Sequence, residues 1–182
     1  MRVGTRVGVI ALAAGLAATA APASASASAS AHASTAVEQA QGEPESSAVG
    51  GLWHNSDPIA ITSTVKHPAY VTVTFTGASR WSGDLTGPTS YSARARVDQR
   101  GALTGVIHER FTGRLADVGT GTLTFTEHFR QDPTGALTID AQVTAATGQL
   151  AGVRGTLHFT GHTDQQGVGG DRYTGHLSES DD

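Results

Sequence analysis

Two glutamates stand where the surrounding pattern calls for apolar side chains. Along 102–112 every second residue reads Leu103, Gly105, Ile107, Glu109, Phe111, and along 121–130 the same parity reads Leu123, Phe125, Glu127, Phe129. Their contexts are related, His108-Glu109-Arg110-Phe111 and Thr126-Glu127-His128-Phe129. If both stretches are neighbouring strands of a hairpin, a turn centred on Val118 sets the two carboxyls face to face. A turn centred on Asp117 offsets them diagonally by one step. Two carboxyls sharing an apolar interior cannot both ionise cheaply, so one of them is held protonated. A carboxyl of that kind can act as a general acid, or donate a hydrogen bond to a ligand oxygen. Glu109 and Glu127 are therefore the candidate catalytic pair. The competing readings are an ion pair with an inward-reaching arginine, and a β-bulge that turns a glutamate outward.

Other residue types that do chemistry are present without the spacing that chemistry needs. His158 and His162 are four apart, which on a strand separates them by about 13 Å. His108, His128, His158 and His176 fall at the polar parity of their segments. No three ligands converge at a metal-site spacing, so no metal is assigned. No serine sits in a G-x-S-x-G elbow, and Gly119-Thr120-Gly121 lacks the rest of a phosphate-binding loop, so no cofactor is assigned either. Arg94 and Arg96 read as a solvated charged face. Trp81 falls in the polar stretch Ser79-Arg80-Trp81-Ser82-Gly83, where a turn could carry it as a cap on the mouth of the fold or as a satellite of the core.

The elements that must position the glutamates repeat every two residues, not every 3.6. Val71, Val73 and Phe75 alternate with threonines; so do Leu123 and Phe125, while Leu157 and Phe159 alternate with Thr156, His158 and Thr160. The pattern predicts strands near 59–65, 70–76, 90–98, 102–112, 121–130, 136–144, 154–162 and 171–177, with an apolar face and a threonine-rich wet face. Glycine or proline signals, among them Gly77, Gly87-Pro88 and Gly152, mark the junctions. Eight short strands with tight links predict an all-β fold, a small antiparallel eight-stranded barrel, because closure removes exposed edges.

Upstream, Arg2 and Arg6 precede the apolar run Val7 to Ala18, and A-x-A sites follow at Ala21-Pro22-Ala23 and Ala23-Ser24-Ala25. This reads as a secretory signal over 1–25, too short for a membrane span once the protein is exported. An Ala/Ser-rich tether over 26–51, a barrel domain over 52–178 and an acidic tail over 179–182 complete the expected organisation. The 182 residues carry a formal charge of −4 and no cysteine. That excludes thiolate chemistry and disulfides, and argues against nucleic acid as a partner.

The stretch Thr147-Gly148-Gln149-Leu150-Ala151-Gly152-Val153-Arg154-Gly155, followed by Thr156-Leu157-His158-Phe159-Thr160-Gly161, is the most recognisable part of the chain. With Gly121-Thr122-Leu123-Thr124-Phe125 and Glu109-Arg110-Phe111-Thr112-Gly113, it resembles an actinobacterial family of unknown function with an allene oxide cyclase-like barrel. The resemblance spans Ile59 to Leu177 and implies a calycin-like barrel with an apolar central cavity. It carries over no catalytic residue. Three functions follow as expectations. The first is a secreted, extracellular barrel that binds a small hydrophobic molecule among Tyr91, Phe111, Phe125, Phe129 and Phe159, with a glutamate fixing its polar end. The second is a cyclase- or isomerase-type enzyme, and the third an interaction protein with a filled barrel. Homo-oligomerisation is open.

Overall fold

The computed structural model describes residues 46–179; the signal segment, most of the tether and the last three residues lie outside them. The described chain is all β, nine antiparallel strands and no helix. They are β1 (Ser46–Asn55), β2 (Ala60–Lys66), β3 (Tyr70–Gly83), β4 (Leu85–Asp98), β5 (Leu103–Leu115), β6 (Gly119–Gln131), β7 (Ala136–Gly148), β8 (Val153–Thr163) and β9 (Gly169–Glu179). β3 to β9 follow one another as a meander, β9 pairs with β1, and β1 returns to β3. Eight strands thus close a barrel, and β2 is the extra one.

Closure rests on a short seam. Gly51, Leu52, Trp53 and His54 of β1 pair with Gly83, Ser82, Trp81 and Arg80 of β3. Glycine at 51 and 83 lets the two backbones approach, with φ of +105° at Gly83. Asp84 clamps the crossing: its Oδ2 accepts from Gly50 N at 2.7 Å, and its own N–H donates to Gly50 O at 3.1 Å. Tyr173 of β9 adds a third tie, its hydroxyl accepting from Leu85 N at 2.8 Å.

Three expectations are corrected here. The first barrel strand is β1, starting at Ser46, not the segment 59–65, so the domain begins inside the stretch expected to be tether. Few large side chains mark β1, which is why alternation did not reveal it. The segment 59–65 overlaps a strand, β2, but every residue of β2 is exposed and it pairs only with β3. Gly77 and Gly87-Pro88 do not end strands either. β3 runs through Gly77 because the Tyr91 ring fills the space a Cβ would take there. Gly87 and Pro88 lie opposite Trp81 and Arg80 on β3, while the ladder to β5 skips both.

Extending β3 places Trp81 inside the barrel at 1% exposure, not in a turn at its mouth. Its indole stacks on Phe111 at 5.4 Å and meets Phe125, Phe159 and Tyr173 at centroid distances of 5.4, 5.0 and 5.6 Å. This aromatic layer packs the barrel interior. The Gly148–Gly155 motif seals the end beyond it: Leu150 is fully buried, and Gln149 Oε1 accepts from Thr120 N and Oγ1 at 2.8 and 3.0 Å. The most recognisable stretch of the sequence is thus a structural plug.

Replacing Trp81 by alanine should lower unfolding free energy by about 3–5 kcal/mol in urea titrations, the range for a buried aromatic. A loss below about 1 kcal/mol would show that the lumen is not held by this ring.

Candidate functional site

The turn Ala116-Asp117-Val118 fixes how the glutamates meet. Asp117 adopts φ of +61°, and the β5–β6 hairpin is centred on it, so Leu115 pairs with Gly119. Glu109 consequently lies opposite Phe125 and Glu127 opposite Ile107. The two carboxyls are diagonal neighbours on the inner face, the second of the two registers the sequence allowed. Both are buried, Glu109 at 6% exposure and Glu127 at 0%. A bulge between β6 and β7 occurs at Thr124/Phe125 without turning Glu127 outward. No lysine or arginine is buried among the described residues, so an inward ion pair does not form.

The surroundings treat the two glutamates differently. Glu109 Oε1 accepts from Ser79 Oγ at 3.1 Å. Ser79 Oγ in turn accepts from Trp81 Nε1 at 3.1 Å and lies 2.6 Å from Thr89 Oγ1. With the indole N–H occupying an acceptor position on Ser79, the serine proton is free to point at Glu109. Glu127 accepts from no donor; its partner is the Glu109 carboxyl, to which a protonated Glu127 donates. Burial first, then the Glu109 charge, pushes the Glu127 pKa well above the carboxylate range. Burial also raises Glu109, against the lowering effect of its bonds with Glu127, Thr89 and Ser79. Glu109 is the member built to carry charge and Glu127 the member built to carry a proton.

Tyr91 and Asn55 extend the cluster. Asn55 Nδ2 donates to Tyr91 Oη and to Gly167 O, both at 3.1 Å, which orients the amide. Its Oδ1 is buried without a partner. Tyr91 Oη uses a lone pair on Asn55, so its own proton remains available. Burial, then the Glu109 charge, pushes its pKa up to about 12. Half-buried Tyr91 lies opposite Glu109 in the β4–β5 ladder and reaches, through Asn55, the end of β1. There β2 continues along the edge of β3 while β9 ends its pairing with β1 at Asn55.

Of the aromatic candidates, Phe129 and Tyr91 are brought together by Phe75, whose ring meets both edge-on at 6.4 and 6.5 Å. Phe111, Phe125 and Phe159 instead belong to the Trp81 layer. No family model, no curated protein and no solved structure matches this chain. The site is therefore read from its own atoms. Sequence reasoning missed Asn55, Ser79 and Thr89. The available signal was parity: Phe75, Gly77, Ser79 and Trp81 continue one alternation that the glycine seemed to end.

The outer face carries the histidines, as their parity required. His108, His128, His158 and His176 are all exposed, and His158 Nδ1 lies 2.7 Å from Asp140 Oδ1. Several of them line a broad outer depression of about 720 Å³ with Gln142, Thr156 and Thr174. Among the described residues no three histidine or acidic side chains could hold a metal ion. Arg94 and Arg96 are exposed, the latter stacked 4.1 Å over Tyr70. No helix of the described residues is long and apolar enough to cross a membrane.

A carboxyl whose native pKa is raised favours folding below its ordinary value, near 4.5, and that contribution is lost as pH rises through the native value. Glu127→Gln should therefore match the wild type in acid and exceed it in stability at about pH 9, by on the order of 1 kcal/mol or more. Denaturant midpoints across pH check this. A variant less stable than the wild type at alkaline pH would contradict it.

Proposed function

We propose that this chain is an exported barrel that binds a small hydrophobic molecule at the mouth beside β2, with its polar end held by Glu109 and Glu127. What supports the reading is the Glu109–Glu127 carboxyl pair, buried at 6% and 0% exposure with no buried lysine or arginine beside it. Folding leaves very few such groups, and those that persist mark bound molecules or function. The mouth supplies the apolar part: Ile59, Val73, Leu103 and Leu137 are half-buried and pack against the core. Tyr91 and Phe129 flank this entrance, and the layer of Phe111, Phe125 and Phe159 with Trp81 forms its floor. Export follows from the amino-terminal signal segment, and the resemblance to the actinobacterial family with an allene oxide cyclase-like barrel agrees with a lumen-binding role.

The proton that Glu127 is built to hold supports a second reading, in which the bound molecule is isomerised or cyclised by general acid catalysis from this carboxyl. Native mass spectrometry of protein taken from the medium of its secreting host separates the readings. A non-covalent adduct retained by the wild type and lost in the Glu109→Gln/Glu127→Gln double variant is the expected result. Conversion of the isolated adduct by the wild type and not by Glu127→Gln would make the barrel an enzyme. A bare protein mass, with only water against Glu127 in an experimental electron-density map, would overturn ligand binding.

A further inference from the structure

Among the described residues, β2 alone pairs on one side only. It follows β1 in file along β3, but β9 accompanies β1 no further than Asn55. Ile59 N still donates to Gln166 O at 2.9 Å, and from Ala60 onward no described strand lies alongside. The bond from His67 N to Tyr70 O, 2.9 Å long, fixes which backbone groups this leaves over. Bonded and non-bonded pairs alternate along an antiparallel ladder, so Val65/Thr72 and Ser63/Thr74 are bonded pairs. The N–H and C=O groups of Thr64 and Lys66 therefore point away from β3, into the open edge. A bulge between Ile61 and Ser63 precedes this stretch and leaves it regular. Edge strands are ordinarily protected by proline, by several charges or by a covering loop. β2 has no proline and one charge, Lys66. Its Ile61 and Val65 are 62% and 50% exposed, two of the three exposed large hydrophobic residues among those described.

We propose that the open edge of β2 is a strand-pairing surface occupied by a second copy of this chain, antiparallel, about a two-fold axis at Thr64. The edge is complementary to itself in that register. The outward N–H and C=O of Thr64 bond reciprocally with those of Thr64 of the partner subunit. Ser63 and Val65 lie opposite Thr74 and Thr72, which share the outer face with Arg94 and Arg96. Ser63 of each copy thus meets Val65 of the other on the same face, and the exposed valine is covered. Charge selects the direction. Antiparallel pairing holds the two Lys66 side chains four positions, about 14 Å, apart, whereas parallel pairing sets them side by side. The pair is also closed, since each copy uses up the other's edge. The seven residues of β2 fall well short of the 20–30 a side in an ordinary stable interface, so the dimer forms with a Kd in the micromolar range.

The test is sedimentation equilibrium of the full chain from about 1 µM to about 1 mM, with hydrogen exchange of the Thr64 and Lys66 amides followed by NMR at both ends of the range. The expected result is a monomer at the low end and a dimer at the high end, with the Thr64 amide protected in step with dimerisation. Thr64→Pro removes an outward N–H that β3 does not use. It should weaken the dimer about tenfold or more while the far-ultraviolet circular dichroism stays that of the wild type. Val65→Lys keeps every backbone donor and sets two ammonium groups about 7–8 Å apart across the axis. It should weaken the dimer too, and it decides the matter if Thr64→Pro does not fold. A monomer throughout the range, with both amides exchanging freely, would overturn the proposal. So would a dimer that neither variant weakens, which would place the contact on another surface. Protection of Thr64 in the monomer at every concentration would assign the edge to residues of the same chain outside 46–179, and would overturn the second copy as its occupant.

Discussion

One hydrogen bond joins the packing of this barrel to its chemistry. The Trp81 indole fills the lumen through its ring, and through its N–H it reaches Ser79 Oγ at 3.1 Å. That contact orients the serine towards Glu109, 3.1 Å away. The same side chain therefore excludes water from the interior and distinguishes one buried carboxyl from the other. With it, Glu109 is supported as an anion, and Glu127, lacking any donor, keeps its proton.

The closure of the barrel serves this arrangement. The β1–β3 seam brings Trp53 opposite Trp81, and beyond it β2 takes over the edge of β3, so the sheet is sealed around the aromatic layer. The plug formed by Leu150 and Gln149 closes the opposite end. The outer depression between His128 and His176 is a separate surface, and its histidines face solvent rather than the glutamates.

The fold class and the inward aim of both glutamates were legible because a two-residue period survives in every strand that alternates large apolar residues with threonine. Leu123 to Phe129 is of this kind, Leu103 to Phe111 keeps the period with other residues between, and a polar residue at an apolar position stands out in both. β1 was not legible, because Ala48, Gly50 and Gly51 give alternation little to act on. Trp81 was misplaced because Gly77 resembles a strand end, whereas its missing side chain makes room for Tyr91 across the ladder. Such a close approach is a long-range fact, as are the contacts of Asn55 with Tyr91 and Gly167. The hairpin register depended on the single residue Asp117 at positive φ, a choice between two turns that local composition left equal.

The central claim is that the barrel buries a carboxyl pair without a cation and stores the resulting proton on Glu127. Carbon-13 NMR of the glutamate side-chain carboxyls, titrated with pH and assigned by Glu109→Gln and Glu127→Gln, reads that proton directly. The Glu127 carboxyl should keep the chemical shift of the protonated acid at neutral pH and titrate well above the ordinary range. Titration of both carboxyls near 4.5, the value of a solvated glutamate, would contradict it.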